Sequence, residues 1–103
     1  MLVSRRAVSS EAFWYHSSNK SWHPCNLLLR DEFLRLYKRA EDIGHVKPKA
    51  LFALSDYQIE DPKEPFEGQA HVLSLSSPQE SMDVWLGFHT LQIKERWAHK
   101  LEV

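Results

Sequence analysis

The histidines and the single cysteine are the residues whose chemistry could be catalytic or metal-binding. They are spread along the 103-residue chain as His16, His23, Cys25, His45, His71, His89 and His99. Zinc sites usually contain ligands that are close in sequence, but no two of these histidines are nearer than seven residues. The sequence therefore predicts no metal and no cofactor, and it predicts surface or half-buried positions for the histidines.

Cys25 is the one candidate for a covalent nucleophile. Reactive thiols usually lie at a helix N-terminus or beside a cation that stabilises the thiolate, whereas Cys25 follows Pro24 inside an apolar stretch that is typical of a strand. Gly44, Gly68 and Gly87 are too far apart to form a phosphate-binding loop. We expect Cys25 to be a small buried side chain, and we expect the chain not to be an enzyme.

The composition narrows the class of protein further. Lys and Arg number 13 and Asp and Glu number 14, for a net charge of −1, whereas nucleic-acid-binding domains usually have a basic excess. A hydrophobic fraction of 43% is enough for a core, and the length predicts one domain over residues 1–103, with an ordered core over about 7–102. The lone cysteine fits a reducing compartment, and no apolar run approaches the roughly 20 residues of a membrane span. We expect a cytoplasmic or peripheral membrane location, within a larger signalling protein.

Short β segments separated by turn-forming residues occupy most of the chain. Pattern and composition predict strands over about 7–17, 22–30, 33–38, 50–59, 69–76 and 82–89. The segment 50–59 is expected to break at Ser55-Asp56, which brings the count to about seven strands. Pro24 cannot donate a ladder hydrogen bond, so we expect it near a strand start or at an edge. Regularly spaced strands predict a sandwich or small barrel.

The last twelve or so residues have the period of a helix. Thr90 is a good N-cap residue, and Ile93, Trp97 and Leu101 recur every four residues as one apolar stripe. We expect these three side chains to be core residues. Polar residues fill much of the rest of the helix, namely Lys94, Glu95, Arg96, His99 and Lys100. The helix is expected to cap an open end of the barrel and to bury its apolar stripe.

Three segments together resemble a pleckstrin homology (PH) domain. They are an aromatic hairpin over 13–22, the apolar strand, acidic turn and aromatic-Lys strand over 27–38, and the terminal helix with Trp97 where the family has a tryptophan. The resemblance runs from about residue 13 to 101. It implies a mainly β fold, a seven-stranded bent antiparallel barrel capped by one C-terminal α-helix. It also implies a non-catalytic module that binds phosphoinositides or proteins, often beside a Rho-family exchange-factor or GTPase-activating domain.

The sequence differs from the family's pattern at the lipid-binding motif. Lipid-binding members hold headgroup phosphates with a lysine near the end of strand one and a Lys/Arg pair just after the tryptophan of strand two. Lys20 lies suitably in the turn, but His23 and Pro24 occupy the two positions after Trp22. Proline has neither a charge nor a backbone donor. The next clear cation is Arg30, at the far end of the strand.

The candidate ligand-binding residues, for a phosphoinositide or an acidic partner, are Lys20, His23, Arg30, Arg35 and Lys38, with Arg39 as a further possibility. Arg35 and Lys38 point to opposite faces of a regular strand. We therefore predict a regulatory module that makes protein–protein or intramolecular contacts. The alternative is a membrane-targeting module that reads a phosphoinositide through a non-standard basic patch. The related phosphotyrosine-binding fold binds peptides by adding a strand to its sheet edge. A peptide ligand is therefore a further alternative.

Overall fold

The computed structural model describes residues 8–18, 20–79 and 83–103, which form seven strands and one α-helix. In chain order these are β1 (Val8–His16), β2 (Trp22–Arg30), β3 (Phe33–Tyr37), β4 (Ala50–Ala53), β5 (Gln58–Glu60), β6 (Val72–Ser76), β7 (Val84–Gly87) and α1 (Leu91–Lys100). Single 3-10 turns lie at Ala40–Asp42 and Leu54–Asp56. No helix in the described part of the chain is long and apolar enough to cross a membrane.

All seven strands belong to one antiparallel sheet in the order β4-β3-β2-β1-β7-β6-β5. The long strand β1 pairs with β2 over most of its length and with β7 through its second half. This confirms the predicted seven-stranded antiparallel PH-like fold. The sheet is open, however, because β4 and β5 are its two edges and do not pair with each other.

Alternation of apolar side chains places the core on one face of the sheet. In β3, Leu34 and Leu36 are fully buried while Phe33 and Arg35 face outward. Helix α1 covers the opening and contributes Trp97, which is fully buried, and Leu101, with Ile93 packed partly buried beside them. The rest of the core comes from all parts of the sheet and includes Ala12, Cys25, Leu27, Phe52, Leu73, Leu75, Val84, Leu86 and Phe88.

The predicted segment 50–59 becomes two strands at opposite edges of the sheet. The 3-10 turn Leu54–Asp56 separates β4 from β5, at the Ser55-Asp56 break that the turn-forming residues predict. Within the segment predicted over 69–76, the strand begins at Val72, because residues 61–71 form a loop that folds onto the sheet. The last strand is shorter than 82–89, and its predicted first residue, Met82, lies outside the described residues.

Helix α1 begins as predicted. The Thr90 side chain accepts a hydrogen bond from the backbone N–H of Ile93 at 3.1 Å, which satisfies one of the free donors of the first turn. Trp97 donates its indole N–H to the Ser10 hydroxyl in β1 at 2.7 Å. Lys94 lies outside the apolar stripe, yet its side chain is buried, because it reaches a carboxylate in the loop 61–71.

The loop 61–71, here the β5–β6 loop, is held against the outer face of the sheet by aromatic contacts. The Phe66 ring stacks on Trp85 with centroids 3.8 Å apart, and the Trp22 indole N–H donates to the Glu67 carbonyl at 3.0 Å. Gly87 permits this packing, since a Cβ atom there would stand 3.1 Å from Trp22 Cζ3 and 3.3 Å from Gln69 Cγ.

Candidate ligand-binding cleft

A cleft of about 380 Å³ opens where the β1–β2 hairpin, the end of β3 and the start of β4 meet. We call it the basic cleft. Its walls are formed by Trp14, His23, Pro24, Cys25, Leu36, Tyr37, Lys38, Arg39 and Lys49. It contains His23 and Lys38, two of the ligand-binding candidates predicted from the sequence, and Arg39, the further possibility.

Strand pairing explains why these side chains meet. Trp14 of β1 lies directly opposite His23 of β2 in the antiparallel register. Lys38 follows the last residue of β3, and Lys49 precedes the first residue of β4. Because β3 and β4 are antiparallel neighbours, the end of one and the start of the other lie side by side. The backbone N–H of Lys49 donates to the Leu36 carbonyl at 2.7 Å, which fixes this return of the chain.

Every charged side chain that lines the basic cleft is positive. Arg39 is partly neutralised by Glu41 at 3.8 Å and Asp42 at 3.6 Å, but it is 64% exposed, so these pairs are weak. Among the described residues, neither Lys38 nor Lys49 has a carboxylate within 4.0 Å. The cleft therefore presents two ammonium groups and a guanidinium to a ligand.

The uncharged part of the cleft lining is mainly apolar and aromatic. The Trp14 ring lies 6.0 Å from His23 and 6.3 Å from His16, measured between ring centroids. The His23 ring also hydrogen-bonds the Ser21 hydroxyl at 3.1 Å. Burial raises the pKa of the Cys25 thiol to about 12, so the thiol stays protonated at neutral pH and has no nucleophilic thiolate.

The other sequence-predicted ligand residues lie elsewhere. Lys20 is in the exposed β1–β2 turn and is not part of the cleft wall. Arg35 faces outward, donates to the Arg30 carbonyl at 3.0 Å, and holds its guanidinium 5.6 Å from the centre of the Phe33 ring. His23 and Lys38 therefore line one cleft, whereas Lys20, Arg30 and Arg35 do not line it.

Arg30 lines a second cleft of about 640 Å³ at the other end of β2. His23 and Arg30 are seven positions apart, which is about 23 Å along a strand. The charged lining here is mixed, with Arg30 and Lys100 beside Asp31, Glu32 and Glu102. This mixture is poorly suited to a polyphosphate ligand.

Lys49 and Trp14 line the cleft but are not among the ligand-binding candidates predicted from the sequence. A signal for Lys49 was available, because it immediately precedes a predicted strand while Lys38 ends the preceding one. Antiparallel pairing of those two strands would have placed the two lysines together. The histidines form no metal site in the described ranges, where no group of three or more His, Cys, Asp and Glu residues could hold an ion.

No protein-family model matches the chain. No curated protein sequence matches it either. Solved structures do match. One is a structure of the Vav1 exchange factor that concerns the structural role of its PH and C1 domains. This chain superposes on it with a TM-score of 0.75 and 24% sequence identity, over 95% of this chain and 25% of the Vav1 chain. The PH domain of Slm1 in complex with D-myo-inositol 4-phosphate gives 0.74 at 18% identity, over 91% and 92%.

The PH domain of human oxysterol-binding protein-related protein 11 gives a TM-score of 0.72 at 15% identity, covering 95% of this chain and 78% of that one. The chain spans about a quarter of the length of the Vav1 chain that it resembles. These similarities show that the chain has the PH-domain fold, which confirms the resemblance seen in the sequence.

Proposed function

We propose that this domain is a non-catalytic module that recruits the protein containing it from the cytoplasm to an anionic membrane, by binding a phosphoinositide headgroup in the basic cleft. The observation that carries this proposal is that Lys38, Arg39 and Lys49 supply the entire charged lining of the cleft. Neighbouring phosphates need several converging, charge-assisted hydrogen bonds. Cations from the end of β3 and the start of β4 can converge on one headgroup.

The proposal favours the membrane role over the protein-contact role that the sequence predicts. The prediction of a protein-contact role depended on the absence of cations at the two positions after Trp22. The cleft that contains those two positions is lined by cations from the end of β3 and the start of β4. The Slm1 PH domain, which shares the fold, is described with an inositol phosphate bound. The likeness supports headgroup chemistry, while the apolar lining by Trp14 and Pro24 leads us to expect modest affinity.

Calorimetric titration of the domain with a soluble inositol trisphosphate tests the proposal. We expect saturable binding that Lys38→Glu and Lys49→Glu each weaken by about tenfold or more, the loss of a charge-assisted hydrogen bond being worth about 1.5–3 kcal/mol. Lys100→Glu is the matched control, since Lys100 lines the second cleft and its reversal should leave the affinity unchanged. Equal losses for all three variants, or no saturable binding by the wild type, would refute the headgroup site.

A second candidate function, a contact with a neighbouring domain or protein, is favoured by the outer face of β3 and β4. Phe33 and Leu51 are 37% and 53% exposed there, and Leu51 pairs directly with Arg35. The described structural role of the PH and C1 domains in Vav1 is in keeping with such a contact. Amide exchange should then slow in β4 in the longer protein relative to the isolated domain, and identical rates would argue against it.

A further inference from the structure

The second cleft, at the other end of β2 from the basic cleft, combines an apolar interior with a charged rim. Its apolar and aromatic side chains are buried or half-buried, namely Leu29, Leu54, Tyr57, Ile59 and Leu101. Its five charged side chains are exposed, namely Arg30, Asp31, Glu32, Lys100 and Glu102. The volume of about 640 Å³ is large enough for a small ligand or a short peptide segment.

The charged side chains of this rim do not neutralise one another. Arg30 and Lys100 line the same cleft as three carboxylates, yet within the described residues none of the five groups has an opposite charge within 4.0 Å. The carboxylates outnumber the cations. The C-terminal end of α1, where the helix carbonyls leave a partial negative charge, borders the same cleft. The rim therefore favours a cationic group over an anionic one.

The three carboxylates occupy backbone positions that suit other residue types. Six non-glycine residues have positive φ in the described part of the chain, and three of them line this cleft: Asp31, Glu32 and Glu102. Glycine or asparagine adopts this conformation at lower cost, so turn geometry does not explain the acidic side chains. Unfavourable backbone conformations cluster at binding sites, and a role in binding does explain them.

Backbone hydrogen bonds hold the walls of the second cleft in place. The Leu54 N–H donates to the Glu32 carbonyl at 3.0 Å, which joins the 3-10 turn Leu54–Asp56 to the β2–β3 turn. At the end of α1, the Leu101 N–H donates to the Trp97 carbonyl at 2.8 Å. A ligand therefore meets a preformed site, and little binding free energy is lost in ordering it.

We propose that the second cleft binds a segment of a partner protein that presents an arginine between apolar residues. A guanidinium hydrogen-bonds carboxylates through two parallel N–H groups, and the methylene stem of the arginine can lie against Leu54 and Ile59. The site is independent of the basic cleft, because about 23 Å of β2 separates them, so both can be occupied at once. An anionic membrane fits less well, because the three carboxylates would face its headgroups.

A two-dimensional nitrogen–proton NMR titration with blocked tripeptides tests the proposal. We expect acetyl-Leu-Arg-Leu-amide to shift the backbone amides of Leu54 and Glu102 in a saturable way, and acetyl-Leu-Glu-Leu-amide to leave them in place. Acetyl-Gly-Arg-Gly-amide should bind about threefold or more weakly, because it has no apolar neighbours to bury. Saturating inositol trisphosphate should leave the affinity for the arginine tripeptide unchanged, because the two clefts are separate.

The double variant Glu32→Gln with Glu102→Gln should weaken binding of the arginine tripeptide by about tenfold, because two charge-assisted hydrogen bonds are lost. Glu11→Gln is the matched control, since Glu11 is exposed in β1 and does not line the cleft. The proposal is overturned if the arginine tripeptide gives no saturable shift, if the glutamate tripeptide binds equally well, or if the control loses as much affinity as the double variant. Headgroup binding in the basic cleft is probed with a different ligand, so the two proposals fail separately.

Discussion

The buried ammonium of Lys94 donates to the Asp61 carboxylate at 2.7 Å and thereby joins helix α1 to the β5–β6 loop. The two side chains are only 6% and 13% exposed. The other carboxylate oxygen accepts from Lys63 at 2.8 Å, but that lysine is 80% exposed. One carboxylate is thus shared by a buried and an exposed ammonium, and the buried one fixes the loop against the helix.

Removing the charge of Asp61 should destabilise the fold strongly. Asp61→Asn leaves the Lys94 ammonium buried without a counter-charge, and such a broken buried pair costs about 3 kcal/mol or more. Urea unfolding of the two proteins measures the difference. Lys63→Gln is the control and should change the free energy of unfolding little, because exposed ion pairs contribute little. If both variants lose the same stability, Lys94 is not the essential partner.

The same carboxylate should make stability depend on acid pH. Burial by itself would raise the pKa of Asp61, but hydrogen bonds from Lys63 and Lys94 outweigh it and lower the pKa to about 2. An unfolded aspartate titrates near pH 3.9. The stabilisation is therefore fully present above about pH 4 and is lost as the pH falls toward 2. Unfolding free energies measured from pH 5 to 2 should converge for the wild type and Asp61→Asn, and a constant gap between them would contradict the assignment.

The β2–β3 turn holds two non-glycine residues in the left-handed backbone region, and this strain can be removed by substitution. Asp31 and Glu32 both have positive φ, 55° and 66°, which is the two-residue hairpin geometry that an Asn-Gly pair adopts most readily. Left-handed backbone costs an ordinary side chain about 1–2 kcal/mol. The double substitution of Asp31→Asn with Glu32→Gly should therefore raise the free energy of unfolding by about 1 kcal/mol, measured by urea unfolding.

Glu64→Gly serves as the comparison for the turn variant, because Glu64 is exposed and lies outside the positive-φ positions. There, added glycine freedom benefits only the unfolded chain, so thermal and urea unfolding should show a small loss. A gain from both glycine substitutions would mean that the effect has nothing to do with the turn geometry.

Trp97 should be the side chain whose truncation the core tolerates least. It is fully buried and its indole N–H donates to Ser10 in β1. Trp97→Ala should cost about 3–5 kcal/mol, which is a large share of the stability of a domain this size. The thermal midpoint measures it, with Leu91→Ala on the exposed side of the helix as the control. A Trp97→Ala protein that keeps its midpoint would contradict the packing.

Features set by neighbouring residues could be predicted from the sequence. Strand β2 has the predicted bounds, and Thr90 caps α1 as predicted, because apolar alternation and capping act over a few residues. The burial of Lys94 could not be predicted in this way. Lysine is nearly always solvated, and its partner Asp61 is 33 residues earlier in the chain.

The candidate site could likewise be predicted only in part from the sequence. His23 and Lys38 were named from the sequence, but Lys49 joins them only because β4 returns beside β3. Arg35 was named with them on the basis of charge, yet it points outward and lies over Phe33. Which cations converge depends on strand pairing and side-chain direction, and neither is visible in the spacing of basic residues alone.

The indole N–H signals of the four tryptophans provide the most direct test of the basic cleft. Trp14 lines the cleft, and Trp97 of α1 is buried in the core. Trp22 and Trp85 pack with the β5–β6 loop. In a two-dimensional nitrogen–proton NMR titration with soluble inositol trisphosphate, we expect the Trp14 indole signal and the backbone amides of Lys38 and Lys49 to shift in a saturable way while the Trp97 indole signal stays in place. Saturable shifts confined to the second cleft around Arg30 and Lys100, or no saturable shift at all, would contradict the account.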